Sequence, residues 1–543
     1  MMSYSEARES EQLRILEKPI RDFIARYRTN PAPPDKRKTL ILLPGGMGSR
    51  LRRANKKYDD NLGLPPGIKY KTIWLNAGTF LGDALKIEMT TDPQGQHRDH
   101  KNKMIVAAGR VKLFGITPYE RFLDWCDRQR LDWFVYGYDW RLPMDNLAGF
   151  FLQKFLPFFK QQVMDAGCPD PLDGVVLVGH SFGGMVIKLA LDRKHPLLDD
   201  MSAAITVGTP FYGYGGQMHR WCEGHEWFNH LGVREVVRTI SSLPGCYALC
   251  YMDHCTYTTY RQALEDDPQF PLTAYPSVDK NQPNTIADPY TPDPGRYPVD
   301  LGFRQDFLDA GKLIYRAVAQ PLPASVAPKF YNIRGVSGGG GKNSEGGDLW
   351  GIAPTPYNPP ADSPLEYDPT KRAVGDAVQP GWSTRLVTQP LDHCITVQAD
   401  EEHMFLMETD AVQAAIEKIL GLPPLLLMMR HMAEEEEGDD DSEEAAEMVK
   451  RAAKSDVGPA AASAAYDFLQ EINRLRHVGG RRAVDAFIRN LNSRDRKAFA
   501  KRFLMDMLKG KLSASPSPVE KAKDLGAEPE KPKPTGPGQK TTQ

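Results

Sequence analysis

The residues best suited to chemistry lie in GVVLVGHSFGGMVIKLALD, where Gly179-His180-Ser181-Phe182-Gly183 joins a short apolar run to a helical pattern. A Gly-x-Ser-x-Gly pentapeptide between a strand and a helix is a nucleophile elbow, which holds the serine on a strained turn with its hydroxyl in a cleft. Small residues at 179 and 183 let strand and helix approach closely enough for that turn. A serine hydroxyl is a weak nucleophile at neutral pH and needs a general base within hydrogen-bond reach. In elbows of this kind the partners follow in the order serine, acid, histidine. Downstream, His403 stands after a β-rich run and an acidic turn and before a helical pattern, which makes it the expected base. His393 opens that run and is read as structural, and His219, His225 and His230 fall too early in the order. For the acid, Asp376 in Val374-Gly375-Asp376-Ala377-Val378 leads, with Asp348 and Asp392 as alternatives. Charge developing on the attacked carbonyl oxygen calls for two N–H donors. The Phe182 amide is one. The other is expected from the glycine-rich loop Leu42–Ser49, which is not a phosphate cradle because it lacks both a following Lys-Ser/Thr and a GxGxxG spacing.

These groups need a scaffold. Short apolar runs occur at Thr39–Leu43, Trp133–Tyr136, Val175–Val178, Ala203–Val207, Phe330–Gly335 and Cys394–Val397. They show little polar alternation, as strands buried on both faces should. Helix-length segments such as Met185–Asp192 and Ala411–Leu420 lie between or after them. This alternation predicts an α/β fold with a mainly parallel sheet covered by helices. The predicted core domain spans residues 37–429. A segment at about 212–328, rich in aromatic residues, Pro and Cys, interrupts the rhythm and is too long for a plain connection. Gly338–Trp382, rich in Gly and Pro, reads as surface loop.

Ahead of the core, residues 1–36 form a helical segment and linker. Leu13, Leu16, Ile20, Phe23 and Ile24 recur at helical spacing, and Pro19 predicts a kink or a break into two short helices. Beyond it, 430–458 reads as an acidic linker, 459–512 as a small α-helical domain with a basic surface, and 513–543 as a disordered tail. The basic helices are candidates for a protein partner or peripheral contact with an anionic membrane, beside the plainer account of a solvated bundle.

Bulk properties narrow the class. The 543-residue chain is too long for one compact core, and its 41% hydrophobic and 25% charged residues fit a globular protein. A formal net charge of −2 gives no electrostatic case for nucleic acid. The charged N-terminal stretch lacks the apolar centre of a secretory signal and the seven cysteines are odd in number, so a cytoplasmic protein with reduced thiols is expected. No run of about eighteen apolar residues predicts a membrane span. The Cys246, Cys250, Cys255 and His254 cluster lacks a paired Cys-x-x-Cys, so no metal is expected, and the chemistry calls for no cofactor.

Several motifs together resemble the lecithin:cholesterol acyltransferase-like α/β-hydrolases, a family that includes phospholipases and acyltransferases. LLPGGMGSRL looks like that family's strand and oxyanion loop, TIWLN at 72–76 and YDWRLP at 138–143 are similar to further signatures, and VGHSFGG and VGTPFYG match the elbow and the turn after the next strand. VGDAVQP resembles the family's GDGTVP, departing in its second half, and DEEHMFLM resembles its histidine segment. The resemblance covers roughly residues 38–420. It implies an α/β-hydrolase fold, Met47 as the second oxyanion donor beside Phe182, and a triad of Ser181, Asp376 and His403. Asp139 and Arg141 are read as a structural ion pair. RTISSLPGCYALCYMD is similar to a segment of the family's cap, so 212–328 is expected to cap an acyl-binding cleft, with Trp221, Trp227, Phe228, Tyr247, Leu249 and Tyr251 lining a channel or filling the cap's own core. The function implied is cleavage of phospholipid or glycerolipid esters through an acyl-enzyme. The alternatives are transfer of the acyl group to an alcohol and an interaction protein built on an inactive hydrolase.

Overall fold

The computed structural model describes residues 3–423, apart from short breaks and the longer stretches 31–36, 112–117, 271–276, 287–300, 338–350 and 353–371. The chain divides into two units, Met1–Ser455 and Asp456–Gln543, the second wholly outside the described residues. The expected linker, helical domain and tail from 430 onward therefore lie outside them too, as do Asp348, Trp227 and Tyr251.

Six strands build the central sheet: β1 (Thr39–Leu43), β2 (Asp132–Val135), β3 (Val176–His180), β4 (Ala203–Val207), β5 (Phe330–Ser337) and β6 (Cys394–Ala399). Every pairing is parallel, in the spatial order β6-β5-β4-β3-β1-β2. These are the six apolar runs of the sequence, shifted at their ends by a few residues. β1, β3 and β4 are buried at every position, which explains why they carry no charged residue and little polar alternation. From β1 the chain goes first to one side, to β2, and then returns to the other for β3. That reversal opens a crevice at the carboxyl ends of β1 and β3, where ligands of open α/β sheets bind. The fold is α/β, a central parallel sheet with helices packed on it.

α1 (Tyr4–Thr29) is one continuous helix of 26 residues, entered through a capping box between Ser3 and Glu6. Of the kink or break expected at Pro19, the break into two short helices is absent. Its apolar stripe, Leu16, Ile20, Phe23 and Ile24, is buried, and Phe23 packs edge-on to Phe159 at 5.1 Å. Side chains also tie α1 across the chain: the Gln12 amide bonds both the N–H and the C=O of Ala107, and Tyr4 donates to Asp99 at 2.8 Å. This packing offsets the hydrogen bond that a helical proline removes.

A layer not anticipated from the sequence follows β1. Tyr70–Trp74, Ser49–Ala54 and Ile105–Arg110 form an antiparallel sheet in that order. Beneath it Arg141 is fully buried and bridges Asp139 at 2.5 Å and Asp99 at 2.8 Å, the structural role expected for Asp139 and Arg141.

The inserted segment between β4 and β5 is largely helical where described, with helices at Val233–Ser241, Pro244–Tyr247, His254–Glu265 and Gln305–Val318. Trp221 and Tyr247 do not line a channel. Their rings meet at 4.6 Å and join Phe303 at 5.1 and 5.3 Å in a buried aromatic cluster, the segment's own core. Phe228 is also buried, against Trp74 at 5.5 Å, and Leu249 is partly buried. The surface loop expected over Gly338–Trp382 is corrected at its end, where Asp376 and Trp382 are buried. Phe270 covers Gly381 so closely that a methyl group there would stand 2.6 Å from the ring.

Among the described residues no helix is long and apolar enough to cross a membrane. The six described cysteines are free thiols, and no group of three or more metal-binding side chains gathers among the described residues.

Candidate active site

β3 ends at His180, and the helix α2 (Phe182–Leu191) begins one residue past Ser181. Ser181 itself adopts φ 52° and ψ −122°, a left-handed backbone that a non-glycine residue rarely holds. Surrounding structure enforces it. The Ser181 N–H donates to Val207 O at 2.8 Å, and the Gly184 N–H returns to Ser181 O at 3.0 Å. A methyl group on Gly179 would stand 2.6 Å from the Gly184 backbone, and one on Gly183 would stand 2.3 Å from Leu43 O. Strand, turn and the loop after β1 are thus in contact at a distance only glycine permits. Strain of this kind, held by its surroundings, is characteristic of functional positions.

Asp376 and His403 meet beside this elbow. His403 Nδ1 stands 2.6 Å from Asp376 Oδ2, and the other carboxylate oxygen accepts the Gln379 N–H at 2.7 Å and the Val378 N–H at 3.2 Å. Asp376 is 1% exposed and His403 7%, so the pair is nearly dry. An ionised carboxylate only accepts, so Nδ1 carries the proton and Nε2 is left with a lone pair, as a general base requires. Gly208, which follows the Val207 carbonyl that holds Ser181, packs on both partners: a methyl group there would meet Asp376 Oδ2 at 2.8 Å and the His403 ring at 3.1 Å. The His180 ring, one residue from Ser181, lies 4.8 Å from the His403 ring. The structure therefore gathers Ser181, Asp376 and His403 at the carboxyl ends of β3, β4, β5 and β6. Asp392, the alternative acid, is exposed, and His393 bonds Phe330 O at 3.0 Å, a structural contact.

The loop after β1 leans on the elbow. Methyl groups on Gly45 and Gly46 would stand 3.2 Å from Ser181 Cβ and 3.6 Å from Phe182 Cβ. The Gly45 amide is taken by Tyr119 Oη and the Gly48 amide by Gly45 O, leaving those of Gly46 and Met47 as the loop's remaining donors. Met47 sits at φ 65°, and its carbonyl accepts Trp74 Nε1–H at 2.8 Å, which pins that conformation. Phe182, at the first position of α2, presents an amide that helix geometry leaves unpaired.

Two residues of the site escape motif reading. Tyr119, at φ 74° and buried, places its hydroxyl 2.9 Å from His180 Nδ1, and His180 Nε2 stands 2.9 Å from the carbonyl oxygen of His403. Burial, with His403 close by, drives His180 well below the usual imidazole range, so its ring is neutral. His180 was visible only as the variable residue of the pentapeptide. Tyr119 lies 61 positions before it and carries no local signal.

Against known proteins, no protein-family model matches the chain, and no curated protein matches its sequence. Among solved structures, it is similar to a chain in the crystal structure of the Tle4-Tli4 complex, at 15% identity and a TM-score of 0.38, over 71% of this chain and 99% of that one.

Proposed function

We propose that the protein is a serine hydrolase that cleaves acyl esters through an acyl-enzyme intermediate. The observation that carries this reading is the strained Ser181 elbow beside the buried pair of Asp376 and His403, hydrogen-bonded at 2.6 Å. In the first step the Ser181 hydroxyl attacks the ester carbonyl and passes its proton to His403 Nε2. Asp376 holds the ring's tautomer and offsets the imidazolium charge. The amides of Phe182 and Met47 stabilise the oxyanion, and His403 then protonates the departing alcohol. Water, deprotonated by His403, attacks the acyl-enzyme and releases the acid.

Lipid esters are the substrate class we assign, on the resemblance of the LLPGGMGSRL, VGHSFGG, VGDAVQP and DEEHMFLM segments to the lecithin:cholesterol acyltransferase-like hydrolases. The inserted segment is the cap of the acyl site in this reading. Fluorophosphonate labelling tests the nucleophile: wild type is expected to label and Ser181→Ala not to. Failure of wild type to label, or undiminished labelling of the variant, removes the enzyme reading. A radiolabelled phospholipid with and without added alcohol then reports the acceptor: free fatty acid alone supports hydrolysis, and a new ester in its place overturns it in favour of acyl transfer.

A further inference from the structure

The buried Tyr119 and His180 form a chain of hydrogen bonds that the chemistry just described does not use. Its protons can be placed by elimination. The His403 carbonyl can only accept, so His180 Nε2 at 2.9 Å must carry a hydrogen. A neutral imidazole then accepts at Nδ1, so the Tyr119 hydroxyl at 2.9 Å donates to it. The Tyr119 oxygen in turn accepts the Gly45 N–H at 2.9 Å. One unbroken, single-direction chain therefore runs from the loop after β1, through Tyr119 and His180, to the backbone of His403.

We propose that Tyr119 and His180 are positioning residues that register the His403 imidazole against Ser181 and the oxyanion loop. The inference rests on the reading of Ser181 and His403 as nucleophile and base. Asp376 fixes the imidazole at its side chain, and also accepts the His403 N–H through its backbone carbonyl at 2.9 Å. The His403 carbonyl, at the other end of the same residue and at the first turn of a short helix, is reached by the His180 ring. Because His180 is bonded directly to Ser181 in the chain, base and nucleophile are referenced to one ring. The far end is closed as well. Glu408 ends the short helix that His403 begins, and that helix packs on the helix Glu120–Arg128, which starts directly after Tyr119. Neutrality of the relay ring matters for the chemistry: an imidazolium at 180, with its ring 4.8 Å from that of His403, would oppose the positive charge that His403 must take up.

The test is steady-state kinetics on a chromogenic short-chain ester with wild type, Tyr119→Phe, His180→Gln and His180→Phe, each normalised to sites titrated by a fluorophosphonate. Tyr119→Phe is expected to lower kcat about tenfold with KM unchanged, the scale of losing one orienting hydrogen bond. His180→Gln keeps a planar group with one acceptor and one donor, and is expected to retain kcat within about threefold of wild type. His180→Phe removes both bonds and is expected to lose about a hundredfold or more. Should His180→Phe fail to fold, Tyr119→Phe decides alone, since it removes one hydroxyl and keeps the ring. Wild-type kcat in Tyr119→Phe, with only its melting temperature lowered, overturns the relay and leaves a structural role. A wild type that neither labels nor turns over overturns the reading of Ser181 instead, which Ser181→Ala distinguishes.

Discussion

His403 and Asp376 are joined twice: ring Nδ1 to carboxylate at 2.6 Å, and His403 N–H to Asp376 carbonyl at 2.9 Å. The double link fixes both the rotation of the imidazole and the height of its backbone. Asp376→Asn keeps the backbone bond and the side-chain volume but allows the wrong tautomer at His403. Turnover is expected to fall by roughly 10⁴-fold, with the fold intact by circular dichroism. Activity within tenfold of wild type would assign the acid to another residue.

Gly183 is the tightest point between the elbow and the loop after β1, where a methyl group would stand 2.3 Å from Leu43 O and 2.6 Å from Pro44 O. Both neighbours are backbone and cannot rotate away. Gly183→Ala is expected to cost about 1–3 kcal/mol of stability and to lower kcat by moving the loop off Phe182. Chemical denaturation beside kinetics measures both, and an unchanged midpoint with full activity contradicts the packing argument.

Glu408 gives a pH signature. Burial pushes its carboxyl up to about 7, against the pull of the amides at Tyr119–Arg121 and of the Arg121 charge. A raised folded-state value means that its contribution is fully present below the ordinary 4.5 and is lost as pH climbs through about 7. Glu408→Gln stays neutral throughout. Its melting temperature relative to wild type is therefore expected to rise between about pH 5 and about pH 8. A constant difference across that window would place the titration elsewhere.

Asp267 holds two buried guanidinium groups of the core, Arg334 at 2.8 Å and Arg385 at 3.1 Å. It also accepts the amides of Gln269 and Phe270, both at 3.0 Å. Asp267→Ala leaves two like charges buried together and is expected to destabilise the fold by about 3–5 kcal/mol. A loss below about 1 kcal/mol in urea unfolding would show that solvent or another group neutralises them.

The parts of this architecture legible in the sequence are those with a local cause. The runs TLILL and VVLV read as strands because both of their faces are covered, and the elbow reads as an elbow because glycine must stand at 179 and 183. Ser49–Ala54, written SRLRRA, did not read as a strand: its arginines are partly buried and bond backbone carbonyls across the layer, as Arg52 does with Tyr70 O. At Pro19 the helix does not break, because helix breaking is a local rule and packing against Phe134 and Phe159 holds the helix together. Trp221 and Tyr247 were equally suited to a channel or a core, and only their mutual contacts decide. Tyr119 had no pattern at all, because its partners are set by tertiary structure.

The first helix has a consequence for how the chain behaves among its own copies. β2 is the outer strand of the sheet, and an outer strand offers unpaired backbone groups to any neighbouring chain. Arg26 of α1 donates to the Trp133 carbonyl at 2.9 Å and lays its guanidinium 3.8 Å from the centre of the Trp133 ring, while Asn30 bonds the Asp132 carboxylate at 2.9 Å. The helix is thus a guard on the sheet's open flank. A chain trimmed before residue 30 would keep Ser181, Asp376 and His403 but expose a sticky strand, and is expected to self-associate before it loses its chemistry.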